Sequence, residues 1–190
     1  IGHSWGGFLS ALYAAEFPEK VSALVLISPA DVLVMPQERD LFQLIRNRLP
    51  AEMQNGFDAF MEEYFNFADI FSKSEEDLKA INREFGKYYR IASTMDLPEQ
   101  REAGGWMVHA MYFSMGQRHD YRAALGKVDA PVLVIHGAND LQSEEATRSY
   151  VSAFPNAQLQ VIKDAGHFSF IEQPSRFSQV VSEFLERVGQ

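Results

Sequence analysis

The 190-residue chain contains no cysteine. Disulfides, thiolate metal sites and cysteine nucleophiles are therefore excluded within it. Basic residues are scarce: 17 Lys and Arg stand against 26 Asp and Glu, a formal charge of −9. Nucleic-acid binding draws on a basic face that neutralises phosphates, so no nucleic-acid partner is expected. No apolar run approaches the roughly 20 residues that span a bilayer, so no membrane association is expected. No signal peptide, internal repeat or low-complexity segment is visible, and a cytoplasmic location is the expectation. Apolar residues make up 46% of the chain. That share is ordinary for a globular protein and supplies one substantial core, or a core and a subdomain.

The chain opens on Gly2-His3-Ser4-Trp5-Gly6, followed by Gly7. This spacing suits a sharp turn between a strand and a helix that pushes the serine hydroxyl outward. Glycines on both flanks leave room where side chains would collide. A helix-like segment, Gly7 to Phe17, follows with Leu9, Leu12 and Tyr13 at helical spacing. A strand-like run comes next, within Val21 to Ser28, and Ser28-Pro29 stops it. Its nearly continuous apolar character predicts a parallel strand covered on both faces. Only Ile1 precedes the motif. The strands that lead into such a turn are expected outside this chain, in a missing N-terminal part of the same protein, and the isolated 190-residue chain is expected to be incomplete.

Three regions follow. Residues 1–30 read as turn, helix and strand of a sheet core. Residues 31–127 carry helical periodicity and no convincing strand, which predicts a helical cap inserted between strands. Its stripes include Leu41, Leu44, Ile45 and Leu49, then Phe57, Phe60, Met61, Tyr64 and Phe65. Ser74-Glu75-Glu76-Asp77 resembles a capping box before Leu78. Residues 128–190 return to the core. Pro131 to His136 is a buried strand, Ser143 to Phe154 a helix, Ala157 to Lys163 a strand, and Ser175 to Val188 the closing helix. Strand, helix, strand, helix predicts an α/β fold, a parallel sheet flanked by helices with right-handed crossovers.

Three side chains fall just past strand ends, where open α/β sheets place their ligands. Ser4 is the candidate nucleophile, since a serine hydroxyl needs a base within hydrogen-bond reach; helix capping is the other use of a serine there. Asp140, in Gly137-Ala138-Asn139-Asp140, is the candidate acid. Asp129 precedes the same strand and belongs at the opposite edge. His167, in Asp164-Ala165-Gly166-His167, is the candidate base, because an imidazole shuttles protons near neutral pH. Of the other histidines, His3 is read as packing beside the turn, His136 as a satisfied core residue, and His109 and His119 as cap residues. The backbone N–H of Trp5 is the expected oxyanion donor, with a second donor from a loop upstream.

The order Ser, Asp, His, each after a strand, resembles the α/β-hydrolase superfamily over the whole chain. Within it, Gly2 to Gly7, the long cap, Pro131 to Gly137 leading to Asp140, and Gly166-His167 leading to Phe170-Ile171-Glu172-Gln173-Pro174 look most like the proline iminopeptidase group of serine aminopeptidases. The resemblance implies a serine hydrolase acting through an acyl-enzyme, releasing an N-terminal residue from short peptides without a metal or organic cofactor. A carboxylesterase or other acyl hydrolase is the alternative, and a non-catalytic ligand-binding protein on the same scaffold a third. In the peptidase group, cap carboxylates hold the substrate's amino end. Here Trp106 to Phe113 contains none, leaving Glu102, Glu62, Glu63 and Asp69 as acidic cap candidates. Trp106 and Glu102 are the expected pocket residues, facing a small-molecule or short-peptide substrate.

Overall fold

The computed structural model describes residues 1–36, 41–66, 68–93, 104–116 and 118–189. In chain order it runs β1 (Gly2–His3), α1 (Trp5–Glu16), β2 (Leu24–Ile27), β3 (Val34–Met35), α2 (Leu41–Arg48), α3 (Ala51–Tyr64), α4 (Glu75–Ala92) and α5 (Trp106–Met115). It continues with β4 (His119–Asp120), α6 (Arg122–Leu125), β5 (Val132–Gly137), α7 (Glu144–Ala153), β6 (Ala157–Ile162), α8 (Ser169–Glu172) and α9 (Pro174–Val188). The chain divides into two compact units, one of Ile1–Arg39 with Arg118–Gln190, the other Asp40–Gln117.

The first unit is built on a four-stranded sheet in the order β1-β2-β5-β6, every pair parallel. All residues of β2 and β5 are buried, as their unbroken Val, Ile and Leu runs require of strands covered on both faces. α1 packs on β1 and β2, α7 on β5 and β6, and α9 on β6. Alternate residues of neighbouring strands, Val25, Ile27, Leu133 and Ile135, form one core face with Ile162 and with Val180 and Phe184 of α9. That set follows from two periods meeting: every second residue of a strand and every fourth of a helix. α1 stops at Glu16 because Pro18 follows; Phe17 before it is pushed out of helical geometry to φ −129°, ψ 60°. Ser143 caps α7 by accepting the Ala146 amide at 3.2 Å, with Glu144 and Glu145 at the positive end of the helix.

The second unit is helical. Its longest helix, α4, starts at the expected capping box: the Asp77 amide donates to Ser74 Oγ at 3.2 Å and the Ser74 amide to Asp77 Oδ2 at 2.9 Å. Ile45, Phe57, Ile70 and Leu78 are buried, and edge-on aromatic pairs such as Phe57–Tyr88 and Phe42–Phe65 join α2, α3 and α4.

Two expectations need correction. The stretch 31–127 is not free of strands: β3 and β4 pair antiparallel, Val34 with Asp120 and Met35 with His119. A two-residue ladder is too short to leave a periodic signature. His119 accordingly lies in the sheet unit rather than with the helices of the second unit, its Nε2 bonded to the Val32 carbonyl at 2.8 Å.

Phe184 is 3% exposed in the core face shared by β2, β5 and α9. In the protein that carries this chain, Phe184→Ala is expected to lower unfolding free energy by about 3–5 kcal/mol. Chemical denaturation measures it; a loss below about 1 kcal/mol would contradict this core assignment.

Candidate active site

β1 hands the chain to α1 through Ser4, at φ 52° and ψ −120°. A non-glycine residue in that region stores roughly 1–3 kcal/mol of strain, so its surroundings must hold it. They do so through the backbone. The Ser4 amide donates to the Ile27 carbonyl at 2.9 Å, and the Ser4 carbonyl accepts from the Gly7, Phe8 and Ala30 amides at 2.9, 3.2 and 2.9 Å. The turn is thereby bonded to β2, to α1 and to the loop after β2. The Ser4 side chain makes no capping bond to α1, so its hydroxyl is not used as an N-cap.

The flanking glycines are not equivalent. A Cβ on Gly2 would run into the Gly6 carbonyl, and one on Gly7 would come within 3.0 Å of Pro29 Cβ. Gly6 has nothing within 4 Å. Room is therefore needed at Gly2 and Gly7, not at Gly6 as the pentapeptide suggests.

Asp140 ends a turn after β5, its amide donating to the Gly137 carbonyl at 2.9 Å. It is 5% exposed. The carboxylate accepts from the Gln142 amide at 2.9 Å, and His167 Nδ1 lies 3.0 Å from Oδ2 and 3.2 Å from Oδ1. A carboxylate only accepts, so Nδ1 carries the proton and Nε2 is the basic nitrogen of the neutral ring. Burial alone would push the Asp140 pKa up; the His167 bond and charge, the Gln142 amide and the Ser28 hydroxyl outweigh it and hold the acid below its usual value. Ser28 is wholly buried after β2 at φ 41°, its hydroxyl beside Asp140 but outside good hydrogen-bond geometry. Ser28 and Gln142 are residues that sequence reading did not single out. The usable signal for Ser28 is its place after β2, at the same sheet edge as Asp140 and His167.

His3 joins Ser4 to this pair. Its Nε2 donates to the His167 carbonyl at 2.8 Å, and the two rings lie 4.7 Å apart. The structure thus pairs His167 with Asp140 directly and places Ser4 one residue from a side chain bonded to His167. Asp129 sits before β5, at the other edge, where its carbonyl accepts from Asn156.

A family model for the α/β hydrolase fold matches residues 1–174. The chain belongs to the α/β-hydrolase fold family. Among its relatives, a proline iminopeptidase of Lactobacillus delbrueckii subsp. lactis is 26% identical over 198 residues, covering 97% of this chain and 64% of that protein. A putative 2-succinyl-6-hydroxy-2,4-cyclohexadiene-1-carboxylate synthase of Bacillus subtilis is 29% identical over 190 residues, covering 99% of this chain and 65% of that one. The crystal structure of a proline iminopeptidase from Mycobacterium smegmatis superposes with a TM-score of 0.58 at 20% identity, covering 98% of this chain and 64% of that chain. The chain thus spans just under two thirds of the length of these relatives.

Within this hydrolase fold, Trp5 is the first residue of α1, which puts its amide at the positive end of the helix dipole. Trp106 lies in the 40–117 unit. Its amide donates to Glu75 Oε2 at 2.9 Å and its ring lies 5.7 Å from Phe71. Glu102 lies outside the described residues. Glu63 and Asp69 both face Lys73, at 3.5 and 3.1 Å, and Glu62 is exposed. Among the described residues, no helix is long and apolar enough to cross a membrane.

Two outcomes are expected from the elbow. Gly2→Ala should destabilise the fold by about 1–3 kcal/mol through overpacking. Gly6→Ala should leave stability unchanged or raise it by up to about 1 kcal/mol, since alanine favours a helix. Paired thermal melts decide this; equal losses at both positions would contradict the asymmetry.

The second test is of pH. Burial, with the neighbouring His167 charge, brings the His3 pKa down to about 4. An unfolded histidine titrates near 6.5. Between about 6.5 and about 4 the unfolded chain therefore binds a proton that native His3 does not, and stability falls as pH falls through that window. Burial pushes His136 and His109 in the same direction. Unfolding free energy measured from pH 7 to 4.5 should decline with acid, and less so in His3→Phe. A slope identical in the two proteins would contradict the neutral, buried His3.

Proposed function

We propose that the protein carrying this chain is a serine hydrolase that works through an acyl-enzyme. The observation that carries this reading is the His167–Asp140 pair at the sheet edge where the strained Ser4 turn also ends. Ser4 Oγ attacks the substrate carbonyl carbon as His167 Nε2 takes its proton. The Trp5 amide supports the developing oxyanion. Asp140 holds the ring with Nδ1 protonated and stabilises the imidazolium that forms. His167 then passes the proton to the leaving group, whose bond to the carbonyl carbon breaks. Water repeats the sequence on the Ser4 ester, regenerating the hydroxyl and releasing the acid.

The substrate reading we favour is release of an N-terminal residue from a short peptide, supported by the likeness to the Lactobacillus proline iminopeptidase. One observation favours a second reading, a carboxylesterase or related acyl hydrolase. α5 offers no carboxylate, while Glu63 and Asp69 already face Lys73. A substrate ammonium taken out of water needs a carboxylate partner.

Turnover by the protein carrying this chain is expected to fall at least about 1,000-fold in Ser4→Ala; retention of most activity would overturn the nucleophile assignment. Substrates differing only in N-acetylation separate the two readings. An aminopeptidase loses nearly all activity on the blocked member, while equal rates on both would remove that reading in favour of the acyl hydrolase.

A further inference from the structure

Two side chains outside the Ser4, Asp140 and His167 set grip the backbone around His167. Glu172, at the end of α8, bonds the amides of the residues on either side: Oε2 accepts the Gly166 amide at 2.6 Å and Oε1 the Phe168 amide at 2.9 Å. Bonds from amides to a charged carboxylate are short and strong. The fit is close, because a Cβ on Gly166 would stand 3.3 Å from both Glu172 oxygens. His3 bonds the same loop from the other side, donating from Nε2 to the His167 carbonyl at 2.8 Å. Its ring packs against both Phe168 and Phe170, with centroids 5.0 and 5.1 Å away. His3 sits on β1, in register with Ile27 of β2, so the grip comes from the sheet itself and from the residue next to Ser4. Gln173 Nε2 adds a bond to the Asp164 carbonyl at 3.1 Å, where the loop leaves β6 at φ 56°.

We propose that Glu172 and His3 are positioning residues for His167: they hold the backbone before and after it and tie its loop to the Ser4 turn. The proposal rests on the serine-hydrolase reading of that site. Asp140 sets the orientation of the His167 ring, but a ring held by its bonds still moves with its backbone. Proton transfer with Ser4 requires hydrogen-bond distance, and a displacement of about 1 Å costs on the order of 100-fold in rate. Glu172 bridges two amides across the very residue that must not move. His3 links that residue to the turn it must meet.

The test is steady-state kinetics of the protein carrying this chain, on an ester or amino-acid amide that it hydrolyses, with Ser4→Ala as reference. Glu172→Gln, which keeps the size but only one acceptor oxygen, and His3→Phe, which keeps a ring but no N–H, are expected to lower kcat roughly 10- to 100-fold with KM changed less than about threefold. His3→Gln presents an amide N–H at the same reach and is expected to recover most of the rate lost in His3→Phe. Rates in both Glu172→Gln and His3→Phe within about twofold of the parent, with Ser4→Ala inactive, would overturn the positioning roles and leave the hydrolase reading intact. A rise in KM alone, or His3→Gln as slow as His3→Phe, would overturn them too. Full activity in Ser4→Ala would instead remove the reading on which the proposal rests.

Discussion

A carboxylate held at 5% exposure is stable only where its charge is met on several sides, and Asp140 meets that condition through His167 and Gln142. The rest of the sheet unit can be derived from that requirement. The two partners arrive from different strands, so β5 and β6 must end level with one another. Their parallel ladder runs unbroken from Val132–Ala157 to Gly137–Ile162. It continues past the strands, with the Ala138 amide bonded to the Ile162 carbonyl at 3.0 Å and the Asn139 amide to the Ala165 carbonyl at 2.8 Å. A slip of one residue would send every side chain to the opposite face and separate Asp140 from His167. The apolar runs of β2 and β5 that bury the core and the bond that organises the site are thus two results of one register.

Strain collects at the same edge. Ser4, Ser28 and Asp164 are the non-glycine residues with positive φ among those described, and each directly follows a strand of the sheet or stands two residues beyond one. Such conformations persist only where the surroundings over-determine them. At Ser4 that support is four backbone bonds; at Asp164 it is the Gln173 side chain on the carbonyl. The core therefore supports not only folding but also an arrangement that isolated loops would not keep. This accounts for an edge rich in polar groups above strands with none exposed in β2 and β5.

Much of this was legible in the residues, for identifiable reasons. β2 and β5 are apolar runs ended by Ser28-Pro29 and by Gly137, so strand ends and the loops after them could be read directly. That is why Ser4, Asp140 and His167 stood out, and why Asp129, before β5, did not. The capping box of α4 was legible because its bonds are local. What escaped depended on tertiary contact. β3 and β4 are two residues each and pair across more than eighty residues of chain. His3 reads as packing, and its ring does pack on Phe168 and Phe170; only its bond to the His167 carbonyl, 164 residues away, has no local signal. Glu172 appeared as part of a motif without a role, since its ligands are backbone amides that carry no side-chain signal. Gly6 was misread because a pentapeptide pattern does not say which glycine faces the crowded side.

The central claim is that Ser4 is a nucleophile activated by the His167–Asp140 pair. Covalent labelling of the protein carrying this chain with a fluorophosphonate, followed by peptide mapping, tests it most directly. One adduct is expected, on Ser4, formed far more slowly when His167 is replaced by alanine. An adduct on a different residue, or labelling at the same rate without His167, would contradict it.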